Sequence, residues 1–529
     1  MSVIQYIVDL GPSLMMPIII FVMAMFFRIP VGRAIRAALT IGIGFIAINL
    51  VIGLLVDTLS PATEAMVNNL GVNLDVLDVG WPSAATISFA TTAVVPWVFA
   101  LGILLNVGLI TIGYTKTLDI DLWNYWHFIF GAAFVYVITG SLLISIFVAL
   151  LTLTVILKLA DATAPVVQDY FELPDVSLPH TETVAWAPVG WVIDRGLDRV
   201  PGLNKLHADP GTIRQKYGVI GEPLMVGVVL GAIIGLLGFG PGLVNDFGGA
   251  LQQILTTAIG MGAVMLVLPR MVRILMEGLN PVSRGARTWL NQRFPNRDLY
   301  IGLDAALAVG QPAVIATALL LVPVVLVLAI LLSFVGMNRM LPFTDLATLP
   351  FFSIWAIAWS RGNIVRGIIT GAIFMCAFLI IGTFLAPATT DIAGNAGFAI
   401  PASALEVSSL DGGGHVVPWL LALPFLGSTI ANLGAPLLVA CALVVVGVLA
   451  CYVAFFARFG VVRPDETVRT DWEGAEAEEE PAEQEPAEEE PAKEEAARGN
   501  REYFSNLIED TNRRSASEGG TNERSGAER

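Results

Sequence analysis

The sequence predicts an all-α polytopic membrane protein. We expect about 11 transmembrane helices in two inverted repeats with re-entrant hairpins, followed by a disordered acidic C-terminal tail. Three observations carry this reading. The 529-residue chain is 55% hydrophobic and 14% charged, with a mean hydropathy of +0.73. That is more apolar surface than a soluble globular protein needs. Runs over 83–113, 128–157 and 416–457 carry no charge, and each exceeds the roughly 20 residues that cross a bilayer. Short motifs also recur in the same order along two halves of the chain.

The recurrence sets the domain organisation. "GPSLMMP" at Gly11 returns as "GEPLMVG" at Gly221, and "IGIGF" at Ile41 as "IGMGA" at Ile259. "VGWP" at Val79 pairs with "VGQP" at Val309, "DLWNYWHF" at Asp121 with "DLATLPFF" at Asp345, and "VITGS" at Val137 with "IITGA" at Ile368. Five matches in one order, at offsets of 210 to 231 residues, point to homologous halves. The expected boundaries are 1–165 for the first repeat, 166–214 for a polar connecting segment and 215–415 for the second repeat. A final helix over 416–463 and the tail over 464–529 complete the chain.

Charge orients the helices. Arg28, Arg33 and Arg36 follow the first apolar run; Arg270, Arg273, Arg284, Arg287, Arg293 and Arg297 crowd one later segment; Arg458 and Arg463 follow the last run. Arginine-rich short loops stay cytoplasmic, so the N-terminus is expected outside and the tail inside, with an odd number of crossings. The run from Gly11 to Phe27 has no basic leader or small-residue cleavage site and reads as a retained helix. From Asp465 onward there are 21 acidic and 8 basic residues, a net of −13 out of −16. Such a Glu/Pro/Ala-rich stretch has too little apolar surface to offset chain entropy, and its acidity suggests a salt-adapted source.

Inverted halves with Gly/Pro-broken helices are the mark of alternating-access transporters, in which substrate sits near the midplane at the breaks. Ionisable groups in such segments are costly and therefore functional candidates. Glu222 stands beside Pro223 at a helix start, as a substrate ligand or as a cap of its own helix. Asp78 and Asp304 flank the paired breaks that carry Trp81 and Gln311. Asn124 and His127 share a helical face, and Asn363 lies in "SRGN" at an apolar boundary. Tyr125 and Trp126 read as interfacial anchors, and "DGGGH" from Asp411 as a flexible loop. Carboxylates, amides, one imidazole and indole faces suit a neutral polyhydroxy ligand. The scattered Cys376, Cys441 and Cys451 offer neither a disulfide nor a metal site. No metal, cofactor, catalytic nucleophile–base pair or nucleic-acid footprint is expected.

With "DLGPSLMMPI", "NLDVLDVGWP", "DLWNYWH", "YFELPDVSLPH", "GEPLMVG", "IGLDAAL", "LPFTDLATLPFF" and "RGN" in view, the chain resembles a known family. It is similar to the galactitol-type permease, or IIC component, of the phosphoenolpyruvate-dependent sugar phosphotransferase system. The resemblance runs from Asp9 beyond Asn363. It implies a multi-pass plasma-membrane permease that takes an external hexitol and delivers it for phosphorylation by separate proteins. A IIB partner would carry phosphate on a cysteine, charged by a IIA histidine, and no residue of this chain would be phosphorylated. Related ascorbate-type permeases imply a homodimer. Gln311 stands where the family leads one to expect histidine, so a related sugar or pentitol fits the resemblance too. An ion-coupled secondary transporter of a polyhydroxy solute is the alternative.

Overall fold

The structure, a computed structural model, describes residues 12–459 apart from 71–73, 90–93, 122–123, 204–207, 209–222, 294–298, 343, 396–404 and 432. Glu222 and the acidic tail lie outside the described residues. The first elements are α1 (Pro12–Phe26), α2 (Val31–Leu70), β1 (Val76–Asp78), α3 (Gly80–Phe89), α4 (Val95–Thr111) and β2 (Thr117–Asp119). They continue with α5 (Asn124–Thr139), α6 (Leu142–Tyr170), β3 (Val176–Ser177), α7 (Thr181–Val184) and α8 (Ala187–Leu197). Then come α9 (Pro223–Phe239), α10 (Phe247–Arg293), β4 (Tyr300–Gly302), α11 (Ala306–Val309), α12 (Pro312–Phe334) and β5 (Met340–Leu341). The remainder is α13 (Leu349–Ala358), α14 (Ile364–Asn395), β6 (Glu406–Ser408), α15 (Leu410–Gly414), α16 (Val416–Ala422), α17 (Gly427–Ala431) and α18 (Ala435–Phe459).

Six described helical segments are long and apolar enough to cross a membrane: 142–170, 227–244, 247–267, 312–334, 364–395 and 435–459. Shorter apolar helices at 95–111, 349–358 and 416–425 accompany them. The chain is a mostly helical, multi-pass membrane protein. Large apolar side chains on the outer faces fit that solvent: Leu39, Ile43, Ile46 and Leu50 form an exposed stripe on α2, and Val439, Leu443, Val446 and Val453 one on α18. Without a hydrophobic drive between helices in lipid, close backbone approach at small residues holds them together. Gly278 meets Ala37 and Ile41, and Gly260 meets Thr58, along the antiparallel pair α2 and α10.

Short strands organise the interior. Two three-stranded parallel sheets have the orders β5-β1-β6 and β2-β4-β3. Val76 pairs with Met340 and Glu406 in the first, while Ile301 pairs with Leu118 and Val176 in the second. From α1 to α8 the elements run helix, helix, strand, three times, ending in two helices; α9 to α16 repeat that order. Exchanging β1 for β4, β2 for β5 and β3 for β6 converts one sheet into the other, registers included. Each sheet thus takes its middle strand from one half of the chain and both edges from the other.

Four local expectations need correction. Tyr125 and Trp126 are buried, 0% and 2% exposed, so they are core residues and not interfacial anchors. "DGGGH" forms α15 and is buried; its glycines serve packing, since a Cβ on Gly413 would collide with the Phe378 carbonyl. "VGWP" follows β1 directly, whereas "VGQP" comes after α11 and opens α12. The two breaks therefore occupy different steps of the element order. The 166–214 stretch is also more than a polar connection, because it carries β3, α7 and much of α8 in buried positions.

Candidate substrate-binding site

Carboxylates set the corners where strands turn into helices. Asp78 closes β1: its Oδ1 accepts from Gly80 N–H at 3.2 Å and its Oδ2 from Asp345 N–H at 2.9 Å. Asp345, from the other half, returns the favour. Its Oδ1 accepts Trp81 N–H at 2.8 Å and its Oδ2 accepts Asp411 N–H at 3.0 Å, which fixes the starts of α3 and α15. Gly80 has φ +72° with its α-carbon against Thr344, so a side chain there would be both strained and crowded. At the second sheet Asp121 Oδ2 accepts Asp304 N–H at 3.1 Å, and Asp304 Oδ1 accepts Ala306 N–H at 2.6 Å. A carboxylate from each half thus caps a corner of the other.

A buried histidine chain lies beside these corners. Asn124 Nδ2 donates to Asp119 Oδ1 at 3.0 Å, which orients the first turn of α5. One turn on, His127 Nδ1 lies 2.7 Å from His415 Nε2, and His127 Nε2 lies 3.1 Å from His180 Nε2. His415 Nδ1 is 2.9 Å from the Asp411 carbonyl oxygen. Trp126 and Phe130 enclose His415 and Phe351 stacks on His180, while Trp186 Nε1 donates to the Gly414 carbonyl at 2.8 Å. Glu182 and Asp411 meet side chain to side chain. Six buried polar atoms here have no protein partner: Asp119 Oδ2, Asn124 Oδ1, His180 Nδ1, Thr181 Oγ1, Glu182 Oε2 and Asp411 Oδ2. Unpaired polar groups at such depth are costly, and all six atoms can accept a hydrogen bond.

His127, Glu182 and His415 bring ligand atoms within 4.8 Å of one another, the one metal-compatible group among the described residues. The two imidazoles spend their facing nitrogens on each other, so a metal would have to displace that 2.7 Å bond. The arrangement is better matched to a hydroxyl-bearing ligand.

The expected ligands separate. Asp78, Asn124, His127 and Asp304 belong to this buried centre, the first and last as corner caps. Trp81 is half-buried and enters through its backbone N–H. Gln311 donates from Nε2 to the Tyr170 carbonyl at 3.4 Å. Asn363 caps α14 through Oδ1 and Arg366 N–H, next to an ion-pair cluster. There Arg366 Nη2 meets Asp194 at 2.6 Å and Asp198 at 2.8 Å. Burial pushes the Asp194 carboxyl up to about 6, and the Arg366 charge opposes it. His180, Glu182, Asp345, Asp411 and His415 were not anticipated. A signal for two of them exists: "DVS" at Asp175 and "EVS" at Glu406 lie 231 residues apart, each followed within seven residues of its serine by a histidine.

Fold and centre together define a class, a polytopic helical membrane protein with a buried polar site assembled from both halves of one chain. The family model for the sugar-specific permease component of the phosphotransferase system (EIIC-GAT) matches residues 6–403, and the chain belongs to that family. It is 37% identical over 421 residues to the galactitol-specific EIIC component of Escherichia coli K12, covering 79% of this chain and 90% of that protein. The same values hold for the galactitol-specific EIIC component of Escherichia coli O157:H7. A putative permease IIC component of strain K12 is 37% identical over 433 residues, covering 81% of this chain and 95% of its own.

Proposed function

We propose that this chain is the membrane permease subunit of a phosphoenolpyruvate-dependent system for a galactitol-like hexitol or closely related sugar. It binds the solute from outside, and separate IIA and IIB proteins phosphorylate it. The observation that carries the substrate class is the set of six unpartnered atoms around the histidine chain, none of them on Lys or Arg. Their acceptors suit a ligand rich in neutral hydroxyl donors. An anion would bring more acceptors to a place already crowded with them.

The repeated element order and the interchangeable sheets support two inverted repeats. On this reading the first repeat extends through α8, beyond the boundary expected at 165. The protein then alternates access around the shared centre and has about 11 crossings, with its N-terminus outside and its tail cytoplasmic. It works as a homodimer, and Glu222, Asp78, Asn124, His127 and Asp304 belong to the substrate path. Trp81, Gln311 and Asn363 take supporting roles at its margins.

The test is uptake of labelled galactitol into proteoliposomes holding this chain, with the IIA and IIB proteins and phosphoenolpyruvate added or withheld. Intravesicular galactitol phosphate that appears only with the full set supports the reading. Accumulation of unmodified galactitol driven by a sodium or proton gradient would replace it with ion-coupled transport.

A further inference from the structure

The hydrogen-bond partners of the three histidines fix where every ring proton sits. A backbone carbonyl can only accept, so His415 carries its proton on Nδ1, facing the Asp411 oxygen at 2.9 Å. A neutral His415 then has a bare lone pair on Nε2. His127 must therefore donate to it from Nδ1 across 2.7 Å, which leaves His127 Nε2 as an acceptor. His180 must donate to that atom from its own Nε2 across 3.1 Å. The chain of assignments ends at His180 Nδ1, an unprotonated nitrogen with no partner on a side chain 3% exposed. All three rings are buried and packed on aromatic neighbours, which favours the neutral forms on which this logic rests.

We propose that His180 Nδ1 accepts the hydrogen bond of the substrate hydroxyl that becomes phosphorylated, and takes its proton as the phosphoryl group arrives. The inference rests on the phosphotransfer reading above. In the step, the hydroxyl oxygen forms a bond to phosphorus while the phosphorus–sulfur bond of the phosphorylated partner breaks. The cysteine leaves as thiolate with its electron pair, and the hydroxyl proton moves to His180 Nδ1. The resulting imidazolium can pass its Nε2 proton to His127, which can pass its Nδ1 proton to His415. The positive charge then reaches the ring beside the Glu182 and Asp411 carboxyls. His127 and His415 are positioning residues: they hold His180 in the one tautomer that presents a bare Nδ1. The neighbouring orphan acceptors on Thr181, Glu182 and Asp411 would bind other hydroxyls of the same molecule.

Two measurements test this. The chain has four histidines, so 15N spectra of the full-length labelled protein can be assigned by single substitutions. We expect His180 protonated at Nε2 only, and His127 and His415 protonated at Nδ1 only. Added galactitol should shift the His180 Nδ1 signal toward that of a hydrogen-bonded acceptor. A proton on His180 Nδ1 in the ligand-free protein, or an unmoved signal at saturating galactitol, overturns the proposal. The second measurement is turnover. His180→Gln keeps a hydrogen-bonding group but cannot take a proton, so phosphorylation at saturating galactitol should fall by roughly the 10²–10⁴-fold of a lost general base. Affinity should fall only about tenfold, the worth of one neutral hydrogen bond. Wild-type turnover with a silent His180→Gln refutes the role of His180 and spares the phosphotransfer reading. Absence of phosphorylation by wild type with its partners refutes that reading itself.

Discussion

Asp161 is the point at which a single substitution should propagate furthest. It lies on α6 with 0% exposure, and its carboxylate gathers the strand that leads to the centre. Oδ1 accepts from Thr115 Oγ1 at 2.9 Å, Lys116 N–H at 3.0 Å and Thr117 Oγ1 at 2.9 Å. Oδ2 accepts from the same Lys116 N–H at 3.1 Å and faces Lys158 Nζ at 3.7 Å. Lys158 in turn lies over the Tyr114 ring, 4.6 Å from its centroid. Asp161→Asn keeps one acceptor but turns an NH₂ group toward a buried ammonium. Removing one partner of a buried pair costs about 3–5 kcal/mol because the other charge is left uncompensated.

The converse change is gentler. In Lys158→Met the carboxylate still has three close donors, so the loss should be nearer the about 1.5–3 kcal/mol of one charged hydrogen bond. The double variant removes both charges and should recover about 0.5–3 kcal/mol relative to additivity. Thermal midpoints from tryptophan fluorescence, all in one detergent, would leave Lys158→Met the most stable of the three, with the double variant close to Asp161→Asn and well short of the sum of the two separate losses. Galactitol phosphorylation should follow the same order, since β2 carries Asp119, which orients Asn124 one turn before His127. If Lys158→Met is as damaging as Asp161→Asn, or the losses simply add, the reasoning about unequal partners is wrong.

Two further predictions concern the corners. Gly413→Ala should abolish the folded centre, because no rearrangement of a side-chain tip relieves a clash with the Phe378 carbonyl; loss of the monodisperse peak in size-exclusion chromatography would show it. Arg339 joins Asp75 at 2.7 Å and Glu406 at 2.9 Å across the exposed edge of the first sheet, and its hydrogen bond to Asp75 holds the guanidinium pKa above its usual range. Arg339→Met should cost only up to about 1 kcal/mol, as partly exposed pairs do. The deficit should shrink in high salt, and a salt-independent loss would point instead to the side chain's packing.

Membrane class was legible because it rests on long-range statistics of the chain: uncharged runs survive any detail of packing. The strands were not legible. Val176–Ser177 and Met340–Leu341 are two residues each, too short for an alternation pattern, and they exist only through partners more than 100 residues away. His127 was legible as a candidate, since a histidine inside an aromatic apolar run stands out. His180 was not, because "LPHTE" reads as a polar connection until β3 draws it inward. His415 was hidden by its three preceding glycines, whose ordinary reading is freedom, whereas here they permit the approach of α15 to α14.

The interleaved sheets also constrain how such a protein can move. Backbone bonds cross between the halves at Val76 N–H to Arg339 O, Val79 N–H to Ser408 O, Tyr300 N–H to Lys116 O and Leu303 N–H to Ser177 O, all between 2.8 and 3.1 Å. The carboxylates of Asp345 and Asp121 add side-chain links in both directions. Parting the halves along their sequence boundary would break all of these at once and strand each donor in a place without water, at about 1–3 kcal/mol apiece. A movement that exposes the histidine chain to one side of the membrane is cheaper if both sheets travel together as one body. The long antiparallel helices α2 and α10 meet through close glycine contacts, Gly278 on Ala37 and Ile41 and Gly260 on Thr58. Sliding of the sheet-bearing body against that pair would preserve every cross-half bond named above, and so keep the histidine chain and its neighbouring carboxylates in place while their surroundings change.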